Sequence, residues 1–176
     1  ADNCYINIGK LNIDNPFLKS IREKTTLAVV GKVSAVDDID HALLDRKIGS
    51  VNITGKVLIR EEYLDILGSR LRNGASCKLK VIPAGYVYAD GDLSLDPIAL
   101  KKFDNAKIYA SGMIRFDSDI TAQMLEKHIA DIKGADIIVC SSSIEEAVSA
   151  LCSCGTKICA CSGKIWKKRV CFTSIT

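Results

Sequence analysis

The chain has no long apolar run. None of its 176 residues belong to a stretch of about 18 consecutive apolar side chains, which excludes a membrane-spanning helix. It also has little charge imbalance. Lys and Arg number 24 and Asp and Glu 21, so the net charge of +3 is too small to argue for nucleic acid. The opening ADNCYINIG shows no charged region followed by an apolar one, so a signal peptide is expected to be absent or removed. No P-loop, dinucleotide-binding loop, H-E-x-x-H or EF-hand sequence occurs. KKR at 167–169 is too short for a nucleic-acid arm. With 48% hydrophobic and 26% charged residues, the composition is that of a soluble domain with a full core.

Cysteine, by contrast, is plentiful. Eight are present, and five of them fall in the last 25 residues. A disulfide scaffold spreads its cysteines through a small chain that lacks a core. Here the core is ample, which favours reduced thiols and a cytoplasmic location.

Glycine reveals a repeat. LAVVGKV, VNITGKV, IYASGMI and CACSGKI each place one glycine inside a β-like run. Anchors at Gly9, Gly31, Gly55, Gly85, Gly112, Ser142 and Gly163 are spaced by about 26 residues, inside the solenoid range. Four places before the anchor stand Tyr5, Leu27, Val51, Val81, Ile108, Ile138 and Cys159. Two places before it stand Val29, Ile53, Ala110, Cys140 and Cys161, with Asn7 and Pro83. This period of two puts both columns on one face of a strand. A helical pair follows at eight and twelve places after the anchor, as in Ile39 with Leu43 and Tyr63 with Leu67. Asn15-Pro16 and Asp96-Pro97 offer a cap followed by proline at the first helical position. Asp119, and Ser142 or Ser143, are expected to cap two further helices. The coil after Gly85 fits only with an insertion around ADGDL. After Gly163 no helix follows, and KRVCFTSI reads as a final strand in a hairpin with GKIW.

The expected fold is α/β: a right-handed β/α solenoid of about seven strand–helix repeats of ~25 residues, with one parallel sheet. It forms a single domain over 1–176 with a terminal hairpin at 163–176. A doubly wound α/β sheet is the rival, but it has no reason to hold glycine at one place in every strand. The arrangement resembles leucine-rich-repeat proteins in architecture. The resemblance covers most of the chain and implies a solenoid with a binding surface. The L-x-x-L-x-L-x-x-N pattern of that family is absent, so no functional residues carry over.

Cys152, Cys154, Cys159 and Cys161 are spaced C-x-C-x4-C-x-C, unlike the common zinc spacings. In the repeat register Cys159 and Cys161 take the inward positions of Val51 and Ile53, and Cys140 does likewise, which makes them small core residues. The metal-ligand reading is the alternative. Lys10, Lys32, Lys56 and Lys164 each follow an anchor. Lys10, Lys32 and Lys56 are expected to stack as a positive stripe, either for an acidic partner or to keep the sheet soluble. Ile82, Tyr109 and Val139 are outward positions and form a candidate apolar binding patch, unless the sheet is covered on both faces. His41 and His128 lie on separate helices, with no motif that needs a base. Asp37-Asp38 and Glu61-Glu62 sit at helix starts, where negative charge complements the helix dipole.

These features point to a non-enzymatic scaffold or protein–protein interaction module. The terminal strand is expected to be covered by self-association or by a further segment. No cofactor, nucleic acid or membrane is implied. The alternative is a metal-binding or thiol-redox protein using the C-terminal cysteines.

Overall fold

The computed structural model describes residues 3–72, 77–152 and 156–161, and the backbone of 172–174. It is a mixed α/β structure with parallel sheets, packed as two compact units, Ala1–Ala84 and Gly85–Thr176.

In the first unit, β1 (Cys4–Asn12), α1 (Asn15–Ser20), β2 (Thr25–Ala35), α2 (His41–Lys47) and β3 (Ile48–Arg60) follow in turn. A 3-10 turn over Glu61–Tyr63 then leads into α3 (Leu64–Arg70), and β4 (Cys77–Ile82) ends the unit. The four strands form one parallel sheet in chain order. Helices of six or seven residues are too short to persist alone. Capping and packing hold them. The Phe17 and Leu43 amides donate to the carboxylates of Asp14 (2.8 Å) and Asp40 (3.1 Å). The α1 cap is therefore one residue earlier than Asn15. Asn15 instead ties the start of α1 to the start of α2, with Nδ2 donating to the Asp38 carbonyl (3.2 Å) and Oδ1 accepting from the Asp40 amide (2.9 Å). Leu18, Leu44 and Leu67 turn inward against Leu27, Ile48 and Ile53. Each such side chain contributes roughly 1.5–3 kcal/mol of apolar burial.

The glycines of this unit stack as their spacing predicts. Gly9 pairs with Gly31, and Gly31 with Gly55. All three have positive φ, at 117°, 137° and 135°. A Cβ on Gly31 would overlap the Gly9 carbonyl oxygen, and one on Gly55 would overlap the Gly31 carbonyl oxygen. Each bend thus brings its carbonyl into the space where the next strand's side chain would begin. The column ends there, because Gly55 pairs with Cys77 and not with Gly85.

The second unit runs β5 (Tyr86–Ala89), β6 (Leu93–Leu95), α4 (Pro97–Leu100), β7 (Ala106–Ala110), β8 (Ile114–Phe116) and α5 (Ala122–His128). It continues through β9 (Ile129–Lys133), β10 (Ile137–Ser141), a 3-10 turn at Ser142–Ile144, α6 (Glu145–Leu151), β11 (Lys157–Cys161) and β12 (Phe172–Ser174). The strands divide between a three-stranded sheet, β5-β7-β9, and a five-stranded sheet, β12-β11-β10-β8-β6. The described strands therefore form three sheets in the whole chain, not the single sheet expected. The division falls at the bends. Gly112 is blocked by the Gly91 carbonyl oxygen at 2.6 Å, and Gly134 by that of Ala110 at 2.6 Å.

The expected register fails in this unit in an instructive way. Leu93 pairs with Ile114 and Ile114 with Ile138, so the bends lie at Gly91, Gly112 and Asp136. The expected anchors Gly85 and Ser142 each lie six residues from them. ADGDL is accordingly the bend itself and not an insertion. An even displacement preserves the face, so Ile108, Ala110, Ile114, Ile138 and Cys140 are still core residues. At β11 the displacement is odd. Ile158 pairs with Ile138 and joins the core, whereas Cys159 pairs with Val139. Cys159 and Cys161 are therefore buried on the opposite face of the sheet from Cys140, in a small cluster with Val139 and Met113.

Asp96 caps α4 as expected, accepting from the Ala99 amide at 2.6 Å. Thr121, not Asp119, caps α5, accepting from Met124 at 3.2 Å. Ser142 and Ser143 lie in the 3-10 turn, and α6 has no side-chain cap. The final strand exists over Phe172–Ser174 and pairs antiparallel with KICAC; its expected hairpin partner GKIW lies outside the described residues. Residues 162–171, with Gly163 and Lys164, lie outside the described residues.

Candidate functional site

The lysine stripe is present in the first sheet and is longer than expected. Lys10, Lys32, Lys56 and Lys78 occupy one register position across β1 to β4. Lys10, Lys56 and Lys78 are exposed and Lys32 is half-buried. Adjacent strands hold these positions about 4.8 Å apart, so the row concentrates positive charge. Beside it, on the strand segments before the glycine bend, Ile6, Ile8 and Val30 are 73%, 83% and 55% exposed. Ile8 pairs with Val30, so these residues make a continuous apolar face at the β1 edge.

The expected patch of Ile82, Tyr109 and Val139 does not form. Ile82 lies in β4, Tyr109 in β7 and Val139 in β10, on three different sheets, and all three are buried. An even displacement leaves Tyr109 and Val139 on the face opposite Ile108 and Cys140, so the difference is that this face is itself covered. Tyr109 in fact covers the Gly134 bend, with ring carbons 2.8 and 2.9 Å from where a Cβ would stand.

The sequence reading missed a cluster on the three-stranded sheet. Tyr86 pairs with Lys107 and Lys107 with Asp131; Tyr88 pairs with Tyr109 and Tyr109 with Lys133. These six residues share one face. The Tyr86 hydroxyl donates to the Asp131 carboxylate. The ammonium groups of Lys133 and Lys107 stand 5.2 and 5.8 Å from its ring centroid. Burial, then the hydrogen bond to and charge of Asp131, push the Tyr86 hydroxyl up to about 12, so it stays protonated as a donor. The alternations Y-V-Y, K-I-Y and D-I-K at 86–88, 107–109 and 131–133 carried the signal, but only in the correct register.

The cysteines separate. Cys152 bridges to Ile132 and packs on the larger core, whereas Cys159 and Cys161 lie in the smaller cluster. Cys154 lies outside the described residues. Among the described residues no three His, Cys, Asp or Glu side chains gather as a metal site. Burial raises the Cys140 thiol to about 12 and the Cys152 thiol to about 11, which suppresses the thiolate form that reacts. His41 is exposed, with its ring 5.2 Å from that of Tyr63. His128 is half-buried, and its Nδ1 lies 2.7 Å from the Phe103 carbonyl oxygen.

Many polar side chains link one strand–helix segment of the first unit to the next. The Tyr63 hydroxyl donates to the Asp37 carbonyl (2.8 Å) and accepts from the Ile39 amide (2.7 Å). Lys47 donates to the Ile21 carbonyl (2.7 Å), and Arg70 to the carbonyls of Asp45 and Ile48 (2.8 and 2.7 Å). Glu61 receives the Ala84 amide at 2.8 Å. A cavity of about 30 Å³ lies inside the first unit among Val33, Ile53, Leu64, Leu67 and Leu79. Its walls are hydrocarbon, which keeps so small a space dry.

No helix among the described residues is long and apolar enough to cross a membrane. Comparison with protein-family models, with curated proteins and with solved structures finds no match to this chain.

Proposed function

We infer that the chain is a non-enzymatic β/α solenoid, akin in architecture to leucine-rich-repeat proteins, that serves as a scaffold or protein-interaction module and associates with itself. The observation that carries this reading is the outward face of the first sheet. There, exposed Ile6, Ile8 and Val30 lie beside the row of Lys10, Lys32, Lys56 and Lys78. An apolar patch flanked by cations suits a protein partner. Repeat-to-repeat pairing supports the solenoid, because each strand–helix unit buries its face on its neighbour. The use of Asp14, Asp40, Tyr63 and Arg70 in caps and links between repeats supports a structural role for these groups. The raised Cys140 and Cys152 thiols weigh against the thiol-redox alternative.

Sedimentation velocity over about 1–100 µM tests self-association. A mass that rises with concentration is expected. A monomer throughout that range overturns it.

A further inference from the structure

We propose that β1 is an isologous dimer edge: it pairs antiparallel with β1 of a second copy, with Asn7 on the two-fold axis. The proposal rests on the self-association reading above and names its surface and register.

Three observations meet on this strand. Among the described strands it is the outermost of its sheet, nine residues long, with β2 on one side only. Such an edge presents unpaired backbone groups to another chain. Second, the Asn7 Oδ1 is buried and has no hydrogen-bond partner among the described residues. A buried amide oxygen left unpaired costs about 1–3 kcal/mol. Third, the space beside Gly9 is open. Gly31 and Gly55 each have a neighbouring carbonyl where a Cβ would be, whereas nothing lies within 4 Å of that place at Gly9, although its φ of 117° matches theirs.

Antiparallel pairing about Asn7 answers all three. Asn7 falls opposite Asn7 of the second copy, and a turn of each half-buried side chain brings its amide oxygen out to the other's amide nitrogen. Tyr5 falls opposite Gly9, where an aromatic ring can cover the bare glycine backbone. Ile6 falls opposite Ile8, so side chains that are 73% and 83% exposed pack across the axis on the outward face. The strand segment YINIG is thus complementary to itself, as a two-fold interface requires. A second β1 running parallel about a two-fold axis would bring like positions together on opposite faces of the sheet, so the two Asn7 amides could not meet.

Disulfide trapping tests the register. In a Cys4→Ser background, Asn7→Cys places two sulfurs across the axis on Cα atoms about 4.5–5.5 Å apart. Mild oxidation should give a covalent dimer whose 7–7 linkage is found by mass spectrometry. Ile8→Cys in the same background should give no 8–8 linkage. A charge pair supplies the independent arm. Ile6→Glu should weaken the dimer about tenfold, and adding Ile8→Lys should restore it, because each carboxylate then faces an ammonium of the other copy. If sedimentation shows a dimer but neither the 7–7 linkage nor the charge rescue appears, the edge pairing is wrong and self-association stands. If the native chain is monomeric throughout, both fail.

Discussion

The two units solve the same problem of bending a strand in different ways. In the first, β2 and β3 run unbroken for 11 and 13 residues through glycines that stack in one register. In the second, the bend ends one strand and starts another, and the pieces belong to separate sheets. The difference lies in which residues meet. Gly31 and Gly55 each lie directly behind another glycine, so one column absorbs the whole turn. At the corner of the second unit, Gly112 lies behind Gly91 but Gly134 lies behind Ala110, so the close approach shifts position from one bend to the next. A bend confined to one register leaves the ladder intact, whereas a bend that moves interrupts it.

Substitution at the bends tests this contrast most severely. Gly55→Ala combines a positive φ with overlap onto backbone, and should cost more than about 4 kcal/mol in denaturant unfolding. Gly112→Ala meets the Gly91 carbonyl and the movable Asp92 carboxylate, and should cost about 2 kcal/mol. Gly85→Ala, with positive φ but open space, should cost about 1 kcal/mol. Equal losses at Gly55 and Gly85 would refute the stacking account.

A smaller effect is expected at Tyr63, which bridges from the turn after β3 to the Asp37–Ile39 segment after β2. Tyr63→Phe leaves the buried Ile39 amide without its acceptor and should cost about 1–3 kcal/mol. Unchanged stability would mean that the bridge contributes nothing. Smaller still is the loss of a cap in the second unit: Asp96→Ala should cost about 1 kcal/mol, read as a lower thermal midpoint.

The smallest effect at neutral pH belongs to Cys140, a buried thiol of the second unit. Burial first, then nearby Glu145, raises Cys140 from 9.0 to about 12, so folding favours the protonated thiol. That contribution is complete below the unfolded value and is lost as pH climbs from about 9 towards 12. Cys140→Val should therefore leave stability near pH 7 almost unchanged and flatten its alkaline decline. The same decline in both proteins would show that another group causes it.

Much of the first unit was legible, because two signals agreed there. The period-two alternation and the glycine spacing both selected the pairing of Tyr5 with Leu27 and Val51, and of Lys10 with Lys32 and Lys56. In the second unit they disagreed. Gly85 and Ser142 were as plausible as Gly91 and Asp136, and a six-residue slip leaves the alternation unchanged. Burial was thus readable while pairing was not, which is why Ile108 and Ile138 were recognised as core but not as residues of different sheets. The Tyr86–Asp131 contact depends on pairing alone, so no local pattern revealed it. At β11 the slip was odd, and Cys159 and Cys161 changed face.

The stacked glycines also make the first unit divisible. Gly31 and Gly55 stand in equivalent surroundings, each with a glycine carbonyl behind it and a lysine after it. Excising residues 32–55 would join Gly31 directly to Lys56, remove one helix and one strand's length, and leave the bend column two glycines deep. The Gly-Lys junction so created already exists at both places, so the cost of shortening falls on the links that Asn15, Tyr63 and Arg70 make to the excised segment and not on the bend itself.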